Sequence, residues 1–439
     1  MNRGATVVLV IAVIVHALFL ASLVSPTHFL NPLFPEGMHN IGDGQGSDFF
    51  AFYQAGRYVL EGRDIYQRPM DDPGRVVPYA YFYRYLPFVA CTIGVALNAL
   101  PPWPAYWLWV LLVEVCLLAC AAAARRLTRD RGLGSLLAAM WLMYSPFYME
   151  QYMGQLTFVM AALVFAMALA HERGRPRAFD VTWTAGVLLK HLTLLYVPVF
   201  VRLRRFRAPL VAGALLAVTT VPYYVLSSPG VGAFAHDNFN LSLYPYPGNL
   251  GALALVMVLK ARLFPQASEA LAYIGPLKVT LTRALVLATM ALPTLAALWV
   301  TFRRKPFDVL ESLGLWTMVY FFVFREVWEY HYVLLLPFLV LYYARTRART
   351  LWFIYALAAM PTAFVLYDVA GENPEVSWSA LQHILNHAFK VVPLVWLFIW
   401  TALGRSRAPA GRVWLEGSAD ATALAGAGVA AAGGAGGAP

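Results

Sequence analysis

Asp48, Lys190 and the run Arg325-Glu326-Val327-Trp328-Glu329-Tyr330-His331 set ionisable side chains against sequence that is otherwise apolar. A carboxylate such as Asp48, facing a cavity, can take a proton from a hydroxyl while that oxygen attacks carbon, which requires the base within about 3 Å of the hydroxyl. Asp48 also stands at the start of a stretch with helical spacing. There its carboxylate can serve as an N-cap for free backbone N–H groups, and the two roles are compatible. Lys190-His191 interrupts the apolar run 181–201 near its middle. A lysine at membrane depth is costly and marks function by default, the alternative being a side chain that snorkels to an interface. Arg325 and His331 can face an anion, with Glu329 gripping hydroxyl groups; the plain alternative is a solvated turn anchored by aromatic rings. Gln155, after Gly154, and Asn240, within Asn238-Phe239-Asn240-Leu241-Ser242-Leu243, can hydrogen-bond a polar ligand or simply belong to loops.

The elements that must position these groups are membrane helices. Of 439 residues, 60% are hydrophobic and 13% charged, where a soluble domain carries about 25% charge. A water-soluble enzyme is therefore excluded. The 13 Trp and 24 Tyr suit the headgroup level of a bilayer. The net charge of +10 comes from short clusters between apolar runs: Arg125, Arg126, Arg129 and Arg131; Arg202, Arg204, Arg205 and Arg207; Arg303, Arg304 and Lys305; Arg345, Arg347 and Arg349. That distribution is positive-inside topology and not a nucleic-acid face. Cys91, Cys116 and Cys120 lie in apolar runs without CxxC spacing and read as inert thiols. His16 reads as a packed polar side chain and Asp71-Asp72 as a solvated acidic turn. No cluster has metal-ligand spacing, and no nucleotide-binding or hydrolase motif is present.

The first apolar run, Ala5 to Val24, reads as a retained first helix. Treating all later runs as simple spans puts the clusters at 125–131 and 173–177 outside the cell. If 85–100 lies along the outer surface and 181–201 is a pair of half-helices returning to its own side, every cluster is cytoplasmic. This assignment places 26–103, 148–155, 227–279, 325–330 and 368–386 outside and implies an outward-facing cavity. The run 251–264 is short enough to be interfacial. Within the first outer loop, Phe49, Phe52, Tyr53, Gly56, Val59 and Leu60 share one helical face, with Gln54, Arg57 and Glu61 on another, which predicts an amphipathic interfacial helix. Residues 1–417 form a single transmembrane domain, and the Ala/Gly-rich tail 418–439 is expected to be disordered.

The stretch Asp48-Phe49-x-x-Phe52-Tyr53-x-Ala55-Gly56 to Gly62-x-x-Ile65-Tyr66, then Tyr85-Leu86-Pro87, Gly154-Gln155, Lys190 followed by Pro198, Asn238 to Leu243, and Trp328 to Pro337 resemble the polyprenol-phosphate-mannose-dependent alpha-1,2-mannosyltransferases, glycosyltransferase family 87. The resemblance implies an all-α polytopic membrane protein of the GT-C fold, with about 10–13 membrane helices of about 20 residues each and interfacial helices on the outer face. It implies an inverting, metal-independent enzyme without cofactor that moves mannose from a polyprenyl-phosphate-mannose donor to a glycolipid or glycan hydroxyl. Asp48 falls on the expected base and His331 on the late histidine motif, where Glu329-Tyr330 precede it in place of the Ser or second His often found there. Lys190 and Arg325 would meet the donor phosphate, with Arg84 and Arg57 as further candidates. Glu329, Gln155, Asn240 and Tyr53 would contact sugar or acceptor. The competing readings are a GT-C transferase for another lipid-linked sugar and a lipid-linked sugar transporter or flippase. Either way the chain is expected in the plasma membrane, active on its outer face, with a cytoplasmic C-terminus.

Overall fold

The computed structural model describes residues 3–34, 44–67, 71–79, 83–226, 228–239, 248–264, 270–274, 277–362 and 378–408. Along the chain, α1 (Arg3–Val24) is followed by α2 (Ser47–Leu60), α3 (Pro87–Leu97) and α4 (Pro102–Arg125). Next come α5 (Arg131–Leu142), α6 (Pro146–Met153), α7 (Thr157–Glu172) and α8 (Pro176–Leu189), and a 3-10 turn (His191–Tyr196) leads into α9 (Val197–Arg202). After α10 (Arg207–Leu226), α11 (Ser228–Phe239) and α12 (Ala252–Leu263), a small antiparallel hairpin of β1 (Ala270–Ile274) and β2 (Leu277–Thr280) precedes α13 (Leu281–Arg303). The chain ends with α14 (Val309–Val323), a 3-10 turn (Glu329–Leu335), α15 (Leu336–Thr346), α16 (Arg349–Ala359) and α17 (Ala380–Ala402). The tail 418–439 lies outside the described residues.

Five of these helices, α1, α4, α10, α13 and α17, are long and apolar enough to cross a membrane. At about 1.5 Å per residue each matches a hydrocarbon layer of about 30 Å. The protein is a helical, polytopic membrane protein. Several other runs expected as full spans are shorter helices: α5 has 12 residues, α14 has 15, and α15 and α16 have 11 each. In α14 and α15 that apolar character serves packing. Every residue of α14 from Val309 to Phe322 is buried, as expected for a helix that is hydrophobic all round. Proline sets some of the shorter lengths, since Pro146 opens α6 directly after α5 and Pro337 sits in the first turn of α15.

The basic clusters meet at one end of the bundle. Arg205 pairs with Asp180 at 2.5 Å, Arg345 with Asp308 at 2.6 Å and Arg347 with Asp130 at 3.8 Å. Arg304 and Arg407 both hold the buried carboxylate of Glu311, and the Arg202 guanidinium lies 5.1 Å from the centre of the Phe307 ring. The half-helix expectation for 181–201 describes the geometry well. α8 stops at Leu189, Lys190 takes extended backbone (φ −152°, ψ 122°), and the chain then runs back on itself. Trp183 Nε1 donates to Thr193 O at 2.8 Å, and the Phe179 and Phe200 rings stack with centroids 4.9 Å apart. Both ends of this hairpin therefore lie among the arginines, and its tip is Lys190.

At the other end, α2 differs from the surface helix expected of it. Its residues Phe49 to Gly56 are all buried, including Gln54, whose Oε1 accepts the Val76 N–H at 2.9 Å. The chain around 72–77 covers Gln54, while Arg57 and Glu61 on the same face stay exposed. α3 crosses the helix so tightly that a methyl group on Gly56 would run into the carbonyl of Gly94. α2 begins at Ser47 after Gly46, whose φ of +74° only glycine adopts freely. Asp48 thus sits inside the first turn, and no side-chain capping bond starts this helix.

Candidate active site

Asp48 is brought to its neighbours by a second glycine. α6 ends at Gly154 (φ +70°), where a Cβ would press on the Cβ of Phe49, so the end of α6 rests on the start of α2. The next residue is Gln155. Its Oε1 accepts from the Tyr85 hydroxyl at 2.6 Å and its Nε2 donates to the Tyr330 hydroxyl at 3.2 Å. Oε1 also accepts the Leu156 backbone N–H at 3.3 Å, which fixes which way the amide points. Gln155 and Tyr330 in turn hydrogen-bond the Asp48 carboxyl group, while Asp48 Oδ2 has no hydrogen-bond partner among the described residues.

Asp48, Arg84, Gln155, Lys190, Arg325, Tyr330 and His331 line one cavity of about 870 Å³. Lys190 enters it from the hairpin tip, with Nζ donating to Thr157 Oγ1 at 3.1 Å and lying 5.8 Å from the Tyr85 ring centre. Arg84 and Arg325 both bind Glu326, which also lines the cavity, at 2.5 and 3.0 Å. His331 Nδ1 accepts the Trp328 backbone N–H at 2.9 Å, so the neutral ring carries its proton on Nε2 and offers a donor there. Three cations against two carboxylates leave the polar wall positive. The remaining wall is apolar and includes Leu195, Leu216, Val221, Met290, Val323 and Phe324, from the returning half of the hairpin, α10, α13, α14 and the turn after it.

Burial pushes the Asp48 carboxyl up to about 6; the bond from Gln155, the charges of Arg84 and Lys190 and the bond from Tyr330 hold it from going higher. A carboxyl group in that range is ionised at neutral pH and basic enough to accept a proton. Behind it lies Glu150, 1% exposed, whose Oε1 accepts the Phe158 N–H at 2.5 Å at the start of α7. Burial raises this acid too, opposed by that backbone bond and by the charge of Lys190.

Of the residues singled out in sequence, Asp48, Gln155, Lys190, Arg325 and His331 converge here, together with Arg84. Glu329 does not reach the cavity wall. It is fully buried in an ion pair with Lys390 at 2.8 Å, because the turn carrying Tyr330 and His331 into the site points Glu329 toward α17. Tyr53 is also absent from the wall: its ring packs on Phe49 and its hydroxyl donates to Leu100 O at 2.8 Å. Arg57 pairs with Glu61 on the surface at 2.7 Å. Asn240 lies outside the described residues, whereas Asn238 lines the cavity. Tyr330, Glu326 and Glu150 received no role from sequence. Tyr330 and Glu326 were visible only as parts of a charged run, and the signal for Glu150 is a lone acid four residues before Gly154, between two apolar segments.

The family model for glycosyltransferase family 87 matches residues 83–324, more than half of the chain. The chain belongs to glycosyltransferase family 87. The matched span holds Arg84, Gln155 and Lys190 of the cavity, while Asp48 precedes it and Arg325 to His331 follow it. No curated protein matches the chain. A cavity that is charged on one wall and apolar on the other fits a lipid-linked sugar, which presents both characters.

Proposed function

We propose that the protein transfers mannose from a polyprenyl-phosphate-mannose donor to a hydroxyl of a glycolipid or glycan acceptor, with inversion at the anomeric carbon. The observation that carries this reading is the Asp48 carboxyl group, with one oxygen unpartnered, in the same cavity as Arg84, Lys190 and Arg325. Asp48 takes the proton of the acceptor hydroxyl as that oxygen attacks the anomeric carbon from the face opposite the phosphate. The carbon–oxygen bond to phosphate breaks and its electron pair leaves with the lipid phosphate. Arg84, Lys190 and Arg325 stabilise the charge that grows there, a fixed electrostatic field of the kind that usually contributes most to such steps. In this reading the cations do the work a divalent ion would do elsewhere. Gln155 and Tyr330 hold Asp48 in place, and His331 Nε2 donates to the phosphate or to a sugar oxygen. The lipid chain lies along the apolar wall.

The sidedness follows from charge. With the linked arginine clusters facing the cytoplasm, the C-terminal segment around Arg405 and Arg407 is cytoplasmic and the cavity is reached from the outer face. The test is a donor panel: purified protein in proteoliposomes with labelled short-chain polyprenyl-phosphate sugars and a membrane extract as acceptor. Transfer from the mannosyl donor supports the proposal. Transfer from another lipid-linked sugar alone would replace mannose, and movement of lipid-linked sugar across the bilayer without transfer would replace the enzyme by a flippase.

A further inference from the structure

Glu326 is an acid in a place where the proposed chemistry needs cations. Its two oxygens are divided between two guanidinium groups, Oε2 to Arg84 Nη1 at 2.5 Å and Oε1 to Arg325 Nη2 at 3.0 Å, and all three residues line the cavity. Its position is built rather than incidental. Buried Asn249 grips the backbone on both sides of it, donating from Nδ2 to Arg325 O at 2.7 Å and accepting the Val327 N–H on Oδ1 at 3.1 Å. Leu250 N–H adds a bond to Val327 O at 2.6 Å.

We propose that Glu326 is a built-in placeholder for the donor phosphate, presenting Arg84 and Arg325 with the pair of anionic oxygens that the phosphate later supplies. The inference rests on the reading above that this cavity takes a phosphate. Carboxylate and phosphate oxygens make the same kind of charge-assisted bond to guanidinium, so one can exchange for the other without moving the arginines far. Between turnovers Glu326 offsets the mutual repulsion of Arg84, Arg325 and Lys190. When donor binds it competes for the arginines, and after transfer it competes again and helps the lipid phosphate leave. Glu326 is thus a positioning residue that acts through the arginines and sets how tightly substrate and product are held.

The probe is a short-chain polyprenyl monophosphate titrated into the full-length protein in nanodiscs, comparing wild type, Glu326→Gln and Glu326→Asp, with the melting temperature of each recorded. Loss of the competing charge should tighten binding of the monophosphate about tenfold in Glu326→Gln, the effect of one weakened charge pair near a protein surface. It should also lower the donor KM and slow product release. Glu326→Asp keeps the charge and should bind no tighter than wild type. Equal or weaker binding by a well-folded Glu326→Gln overturns the inference and leaves the proposed function standing. If Glu326→Gln does not fold, tightening in Glu326→Asp overturns it, and binding no tighter than wild type supports it. Failure of wild type and both variants to bind the monophosphate overturns the proposed function as well.

Discussion

Lys390 and Lys190, two lysines set in apolar sequence, differ in what surrounds their charge. Lys390, in the middle of α17, is fully buried; its ammonium donates to Ala358 O at 2.8 Å and Met360 O at 2.6 Å and forms an ion pair with Glu329 Oε1 at 2.8 Å. The two carbonyl bonds hold the C-terminal end of α16, and Lys390 does not line the cavity. Lys190 is at the tip of a broken helix, has Thr157 Oγ1 as its hydrogen-bond acceptor among the described residues, and faces the cavity. The same contrast holds for acids. Glu311 is wedged between Arg304 and Arg407, whereas Asp48 keeps one oxygen without a partner. A charge enclosed with its counter-charge away from the cavity builds the fold, and one that faces the cavity is available to a substrate.

Each half of this contrast can be broken separately. Lys390→Met strands Glu329 as an unpaired buried charge and should cost about 3–5 kcal/mol, read as a large fall in thermal stability in detergent; the double variant Lys390→Met/Glu329→Gln should recover most of it. Lys190→Met should do the opposite, leaving the melting temperature close to wild type while lowering kcat/KM about 100-fold, from lost stabilisation of the leaving phosphate. The pH profile sharpens the assignment of Asp48. Because its carboxyl group is raised to about 6 and the proposed mechanism uses the ionised form as base, kcat/KM should fall about tenfold per pH unit below that point and level off above it. At the small end, Arg57→Ala removes an exposed pair with Glu61 and should change stability by less than about 0.5 kcal/mol and activity not at all.

The charged positions within apolar sequence were legible because an ionisable group there needs a reason, and Asp48, Lys190, Arg325 and His331 do share a cavity. That the basic clusters share one end was legible as well: those that demand a common side in sequence are joined by ion pairs at one end of the molecule. Sequence failed where the partner lies far along the chain. Nothing near Glu329 reveals that Lys390 waits on α17, so a structural acid and a ligand-binding one look alike. It also failed for part of α2, where Gln54 looks solvent-facing until the chain around 72–77 covers it, although Arg57 and Glu61 do stay exposed. The short helices deceived for a related reason. An apolar run reports burial, and protein can supply that burial as well as lipid.

The central claim is that Asp48 does the proton transfer within this cavity. Its most direct test is Asp48→Asn, measured for both binding and turnover of a short-chain polyprenyl-phosphate-mannose. The side chain keeps its shape and loses its basicity, and removing a buried negative charge should leave the melting temperature equal or higher. The account predicts donor binding within a few-fold of wild type and turnover reduced by about 1,000-fold, within the range for loss of a general base. Turnover near the wild-type rate, by a variant that binds donor normally, would contradict it.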